Sequence, residues 1–202
     1  MARRMVLDLD QKYELLYAHE EAFSYRLAQE VVKKPEASVW MILLPVLFVH
    51  HFYRVNQYKE GVRSFAEHFL SSKKKALDKA YDQALAGKSM DYGMDAYFPA
   101  HVLSDQDKDL VERQVQAIKV MEEHYLVLMQ VSGQSLEELV QNAYQSPEQY
   151  RRFINKLADT EQKLNKYLLE KVHTSEESRL VVRQVELQCA QLREEEIKLF
   201  FK

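Results

Sequence analysis

Apolar side chains recur along this chain at alternating intervals of three and four, the spacing that gathers them on one face of an α-helix. Over residues 8–34 the stripe is Leu9, Tyr13, Leu16, Phe23, Leu27 and Val31, with Glu20 standing where an apolar residue is expected. Pro35 ends that helix, because the residue before a proline is disfavoured in helical geometry. Residues 54–85 predict a longer, more polar helix with a sparse stripe of Val62, Phe65, Phe69 and Leu77 and a basic run at Ser71-Ser72-Lys73-Lys74-Lys75. Residues 87–99 read as a linker, with Gly87, Gly93 and Pro99, and their Tyr92, Tyr97 and Phe98 predict that it packs against the rest.

The second half repeats the helical pattern. Ser104 with Asp107 three residues on is a helix start of the capping-box kind. Val111, Val115, Ile118, Tyr125 and Leu128 carry that helix to about Ser132, where Gly133 stops it. A short helix is predicted over 135–144. Ser146-Pro147 opens the next, on Tyr150, Phe153, Ile154, Leu157, Leu164 and Leu168. Residues 174–177 break the chain before a last helix on Val182, Val185, Cys189, Leu192 and Leu199. No stretch alternates with a period of two, so no sheet is predicted. The expected fold is an all-α helical bundle of about five to seven helices. Its divisions are an amphipathic helix at 1–34, an apolar element at 35–55, a basic helix with linker at 56–100 and a C-terminal bundle at 101–202 that forms one domain with 1–34.

One stretch departs from this pattern. Residues 39–49 carry no charge and no hydrogen-bonding side chain except the Trp40 indole, and Pro45 sits at the middle, where it predicts a kink or a split into two arms. A helix over 39–53 rises about 22 Å, against about 30 Å of hydrocarbon in a bilayer. Basic residues flank both sides, which by the positive-inside rule holds both in the cytoplasm. A bent element that dips into one leaflet satisfies length, proline and charge together; a true span and a buried helix of a soluble bundle are the alternatives. On this reading Trp40, Met41, Leu43, Leu44, Pro45, Leu47, Phe48, Phe52 and Tyr53 meet the membrane, while Lys33, Lys34, Arg54, Lys59, Arg63, Lys73, Lys74 and Lys75 lie near lipid headgroups. Adjacent His50 and His51 point to different sides of a helix and read as the edge of the apolar region, with pH-dependent docking as a variant.

Composition adds limits. Of 202 residues only 4 are Gly and 4 Pro, which suits long helices. The net charge of -3 gives no global basic field, so no nucleic-acid partner is expected. The single cysteine, Cys189, forms no internal disulfide and reads as a buried thiol. Asp8 and Asp10 interrupt any N-terminal apolar run, so a cytoplasmic start is expected.

Candidate chemistry is sparse. There is no glycine-rich phosphate loop, nucleophile elbow or paired-cysteine metal spacing. Glu20, Glu122, Glu161 and Glu196 stand at stripe positions, with His124 near Glu122, and glutamates projecting from four helices are how carboxylate-bridged metal sites are built. Such sites want two Glu-x-x-His units, and the chain has one, Glu170 with His173. The expected function is therefore non-enzymatic and without cofactor: a peripheral or monotopic membrane protein that anchors or scaffolds at the cytoplasmic leaflet. Membrane lipid, and a protein partner or second copy, are its expected partners, with 193–196 and the faces of the last two helices as partner surfaces. The alternatives are a soluble cytoplasmic bundle with a carboxylate metal site and a soluble oligomer that buries the apolar helix.

Overall fold

Asp8 starts the first helix by a reciprocal cap: its Oδ1 accepts from the backbone N of Gln11 at 2.8 Å, and Gln11 Oε1 accepts from the backbone N of Asp8 at 3.0 Å. The computed structural model describes residues 6–32, 45–88, 90, 92–98, 108–171 and 176–202, with the side chains of 45–56, 177 and 178 excepted. Among the described residues there are six α-helices and no strand: α1 (Leu9–Val31), α2 (Pro45–Ala86), α3 (Lys108–Gln130), α4 (Leu136–Tyr144), α5 (Pro147–Lys171) and α6 (Glu176–Phe200). A 3₁₀ turn at Met94–Ala96 lies between α2 and α3. The protein is an all-α bundle.

Cross-helix contacts give the order and direction of packing. Tyr13 meets Asp78, Glu20 meets Lys73 and Val32 approaches Gly61, so α1 and α2 are antiparallel. His19 with Glu196, and Phe23 and Leu27 with Leu192 and Cys189, make α1 and α6 antiparallel. Asn165 with Glu186 and Arg151 with Glu194 do the same for α5 and α6, and Arg113 with Tyr167 and Glu123 with Lys156 for α3 and α5. The circuit closes where α2 meets α3. A ring of five cannot alternate direction all the way round, so one neighbouring pair must be parallel, and that pair is α2 with α3. A parallel pair needs the chain carried back along its own length, and the residues after Ala86 do this. Tyr92 lies under Lys79 Nζ at 4.4 Å and Phe98 under Lys75 Nζ at 4.1 Å, stepping back down α2. The predicted packing of this linker holds at these two rings.

α4 sits at one end of the ring against α3, α5 and α6. Ser135 caps it through the backbone N of Glu138, and Gln145 ends it in the left-handed region at φ 60°. Gly133, the predicted stop, lies so close to α4 that an added Cβ would sit 2.9 Å from Leu139 Cδ2. Lys12 reaches across from α1 to the C-terminus of α3, donating to the carbonyls of Met129 at 2.9 Å and Val131 at 2.8 Å, where free helix carbonyls favour a cation. The main core joins Leu16, Leu77, Ile118, Tyr125, Leu128, Leu139 and Phe200.

One boundary differs from the sequence reading. No new helix begins at Arg54: α2 runs unbroken from Pro45 to Ala86, 42 residues, so the apolar Pro45–Tyr53 portion and the basic helix are one rod. The alternation of Val62, Phe65 and Phe69 marks where that rod enters the bundle, not where it starts. The predicted kink falls at the edge of the described residues, and the predicted cap at Ser104 and Asp107 lies outside them.

Candidate functional site

Of the residues expected to meet a membrane, Trp40, Met41, Leu43 and Leu44 lie outside the described residues, as do Lys33 and Lys34. Pro45, Leu47, Phe48, Phe52, Tyr53 and Arg54 occupy the first turns of α2, described as backbone. Val32 Cγ1 lies 3.5 Å from where a Cβ on Gly61 would sit, which sets the end of α1 level with Gly61. The stretch of α2 before that level, residues 45–60, is about 24 Å long at the helical rise. Lys59 and Arg63 beside it are exposed, Arg63 paired with Glu67 one turn on. No helix among the described residues is long and apolar enough to cross a membrane.

The three lysines expected at headgroups separate. Lys73 is buried: its ammonium pairs with Glu20 and lies 4.2 Å from the centre of the Phe23 ring, so it faces the core and not a lipid surface. Lys74 is half-exposed and pairs with Asp78 at 2.9 Å. Lys75 is half-buried over Phe98. Three successive residues point along three directions of a helix, and only a solvent-facing one is available to a membrane.

The stripe glutamates do project inward, but each is matched to its own partner. Glu20 accepts from Lys73 and from the Tyr125 hydroxyl. Burial alone would raise its pKa; the Lys73 charge, then that of His19, outweighs this and holds the carboxyl at about 2. Glu196 faces His19, with Oε1 2.8 Å from Nε2. Burial pulls the His19 pKa down, yet the bond to Glu196 and the charge of Glu20 leave it above the ordinary value. Glu161 takes both Nη atoms of Arg193 at 2.7 Å, a bidentate pair. Glu122 accepts from Gln83 Nε2 at 2.5 Å and from the Tyr97 hydroxyl at 2.6 Å. No group of three or more metal-ligating side chains exists among the described residues. Each of the four carboxylates is engaged in ion pairs or hydrogen bonds of its own. A cavity of about 30 Å³ between Glu20, Tyr125, Tyr150 and Glu196 has room for water and not for a larger ligand.

The acidic run Arg193-Glu194-Glu195-Glu196 is likewise used internally. Glu194 pairs with Arg151 and Glu195 with Arg26, beside the two pairs just given. These pairs link α6 to α5 and α1, those of Glu194 and Glu195 at the exposed surface of the bundle. Glu170 is exposed and near Lys166 at 3.9 Å, while His173 lies outside the described residues. His124 is buried against Phe153, ring centres 4.1 Å apart, with Nδ1 2.6 Å from the Tyr144 hydroxyl. Burial holds its pKa down at about 3, so the ring is neutral.

A cleft of about 560 Å³ opens between α2, α3, α5 and α6, within the range of small-molecule sites. Ile118, Met121, Cys189 and Ile197 are its buried apolar wall, and Phe69, Phe98 and Ile154 are half-buried beside them. Burial raises the Cys189 thiol to about 11, so it stays protonated and apolar in character. Of the cations lining the cleft, Arg193 and Arg151 are each held by a glutamate at two nitrogens, whereas Lys75 has no carboxylate partner among the described residues. The sequence reading missed the cleft, since its residues come from four helices. The one local signal is small residues, Ala117 and Ala158, on inward faces where larger side chains would have filled the space.

No family model, curated protein or solved structure matches this chain, so its reading rests on the residues themselves.

Proposed function

We propose that this protein is a non-enzymatic helical bundle that works at a membrane surface, with the N-terminal part of α2 as its arm. The observation that carries the reading is the continuity of α2. The apolar Pro45–Tyr53 stretch and the buried residues Val62, Ala66, Leu70 and Leu77 belong to one helix, so an apolar end held in lipid would hold the bundle rigidly. Exposed Lys59 and Arg63 follow the apolar end, where each basic group near anionic lipid contributes on the order of 1 kcal/mol. The bundle then acts as an anchor or scaffold, its internal ion pairs fixing the helices that carry the arm. The shortness of the apolar run and the proline at its middle support a shallow contact over a span.

Vesicle flotation tests this. The full chain should rise with vesicles containing phosphatidylglycerol and stay down with the paired substitution Leu47→Asp and Phe48→Asp, while the melting curve of the bundle is unchanged. Full-chain protein that stays down with every vesicle composition contradicts the reading. A detergent-free dimer that the same substitutions split into monomers also contradicts it, by putting a second copy where the bilayer was placed.

A further inference from the structure

We propose that the cleft between α2, α3, α5 and α6 binds one single-chain amphiphile with an anionic head, its carboxylate on Lys75 and its chain along the wall of Ile118, Met121, Cys189 and Ile197.

Size and lining set the body of the ligand. A volume of about 560 Å³ over an apolar wall suits an organic molecule and exceeds what scattered waters explain. The stretch of α6 bordering the cleft, Val185 to Ile197, is about 18 Å long at the helical rise, so the site is elongated. An elongated apolar site fits a chain better than a compact ring system.

Charge sets the head and the orientation. Arg151 and Arg193 line the cleft, but the charge of each is already matched by a carboxylate at two nitrogens, Glu194 and Glu161. Lys75 has no carboxylate on it among the described residues; it rests on the Phe98 ring, and the three donors of its ammonium suit one carboxylate. At the opposite end Glu186 accepts from Asn165 Nδ2 at 2.9 Å and has no cation on it among the described residues. An anionic head is therefore drawn to the Lys75 end; a cationic head is repelled there and finds at the other end only a carboxylate already bonded to Asn165. The occupant is a free monomer and not a chain still in a bilayer, because the cleft lies among the packed helices, against the part of α2 that borders α1 and α3. The inference does not rest on the membrane reading: it is tested without lipid, and that reading is tested without free amphiphile.

Calorimetric titration of the full chain with monomeric dodecanoate, and in parallel with dodecyltrimethylammonium, decides it. Dodecanoate should bind at one equivalent and at least tenfold more tightly than the cationic chain. Lys75→Met should weaken dodecanoate about tenfold, the loss of one charge-assisted contact. Ala158→Trp, which fills the half-buried wall of α5, should abolish binding, and Lys163→Met, exposed and away from the cleft, should leave it unchanged. Absence of dodecanoate binding by folded wild-type protein overturns the proposal. So does equal affinity for the two head charges, a comparison that needs no variant to fold.

Discussion

Glu20 and Lys73 show how a polar residue on an apolar stripe is accommodated. Each is nearly buried, and each is the main countercharge of the other, with the Tyr125 hydroxyl and His19 also beside Glu20. Lys73→Met should destabilise the bundle by about 3–5 kcal/mol, since it strands a buried carboxylate, and adding Glu20→Leu should recover most of that loss. Chemical unfolding of the two single variants and the double checks it. The pH dependence follows from the same network. With its carboxyl held at about 2, Glu20 contributes stability that is present above its unfolded value near 4.5 and lost as pH falls towards 2. His124, held at about 3, is protonated first in the unfolded chain, so stability falls as pH drops from 6.5 towards 3. His19 has the opposite sign: its raised pKa contributes fully below 6.5 and is lost as pH rises through the folded value. The acid limb should therefore begin near pH 6.5, ahead of the carboxylates. Replacing His124 and Tyr144 together by Phe removes both members of a buried polar pair and should delay that limb to about pH 4.5, as urea midpoints against pH would show.

At the scale of elements, much of the fold is legible in the sequence. Asp8, Ser135 and Pro147 mark helix starts that the structure keeps, and the stripes through Leu16, Ile118 and Leu157 face the core as their spacing predicts. The boundary at Arg54 was not legible, because a polar surface on a helix says where it leaves its neighbours and not where it ends. Nor could the stripe glutamates be assigned: spacing brings Glu20, Glu161 and Glu196 inward, but their partners Lys73, Arg193 and His19 come from other elements. The same limit hid the cleft, which no single helix encodes. Gly133 offers an element-level test. A methyl there would meet Leu139 Cδ2 at 2.9 Å and its backbone N at 3.1 Å, so Gly133→Ala should lower stability by about 1–3 kcal/mol by forcing α4 off the end of α3. A variant that melts with wild type would show that α4 yields freely.

For the whole molecule, the five-helix ring with one parallel pair explains why the chain spends residues 87–107 between α2 and α3. It also places two distinct features on one helix. The N-terminal turns of α2 carry the apolar run proposed for the membrane, and its middle borders the cleft through Phe69 and Lys75. The chain contains one tryptophan, Trp40, which precedes α2 in the sequence within the apolar stretch 39–53, and it reports on the central claim directly. Its fluorescence should shift to shorter wavelength when anionic vesicles are added, and it should then be quenched by lipids brominated on their acyl chains and shielded from aqueous iodide. Emission and iodide quenching that do not change on adding vesicles, with no quenching by the brominated lipids, would contradict the membrane reading.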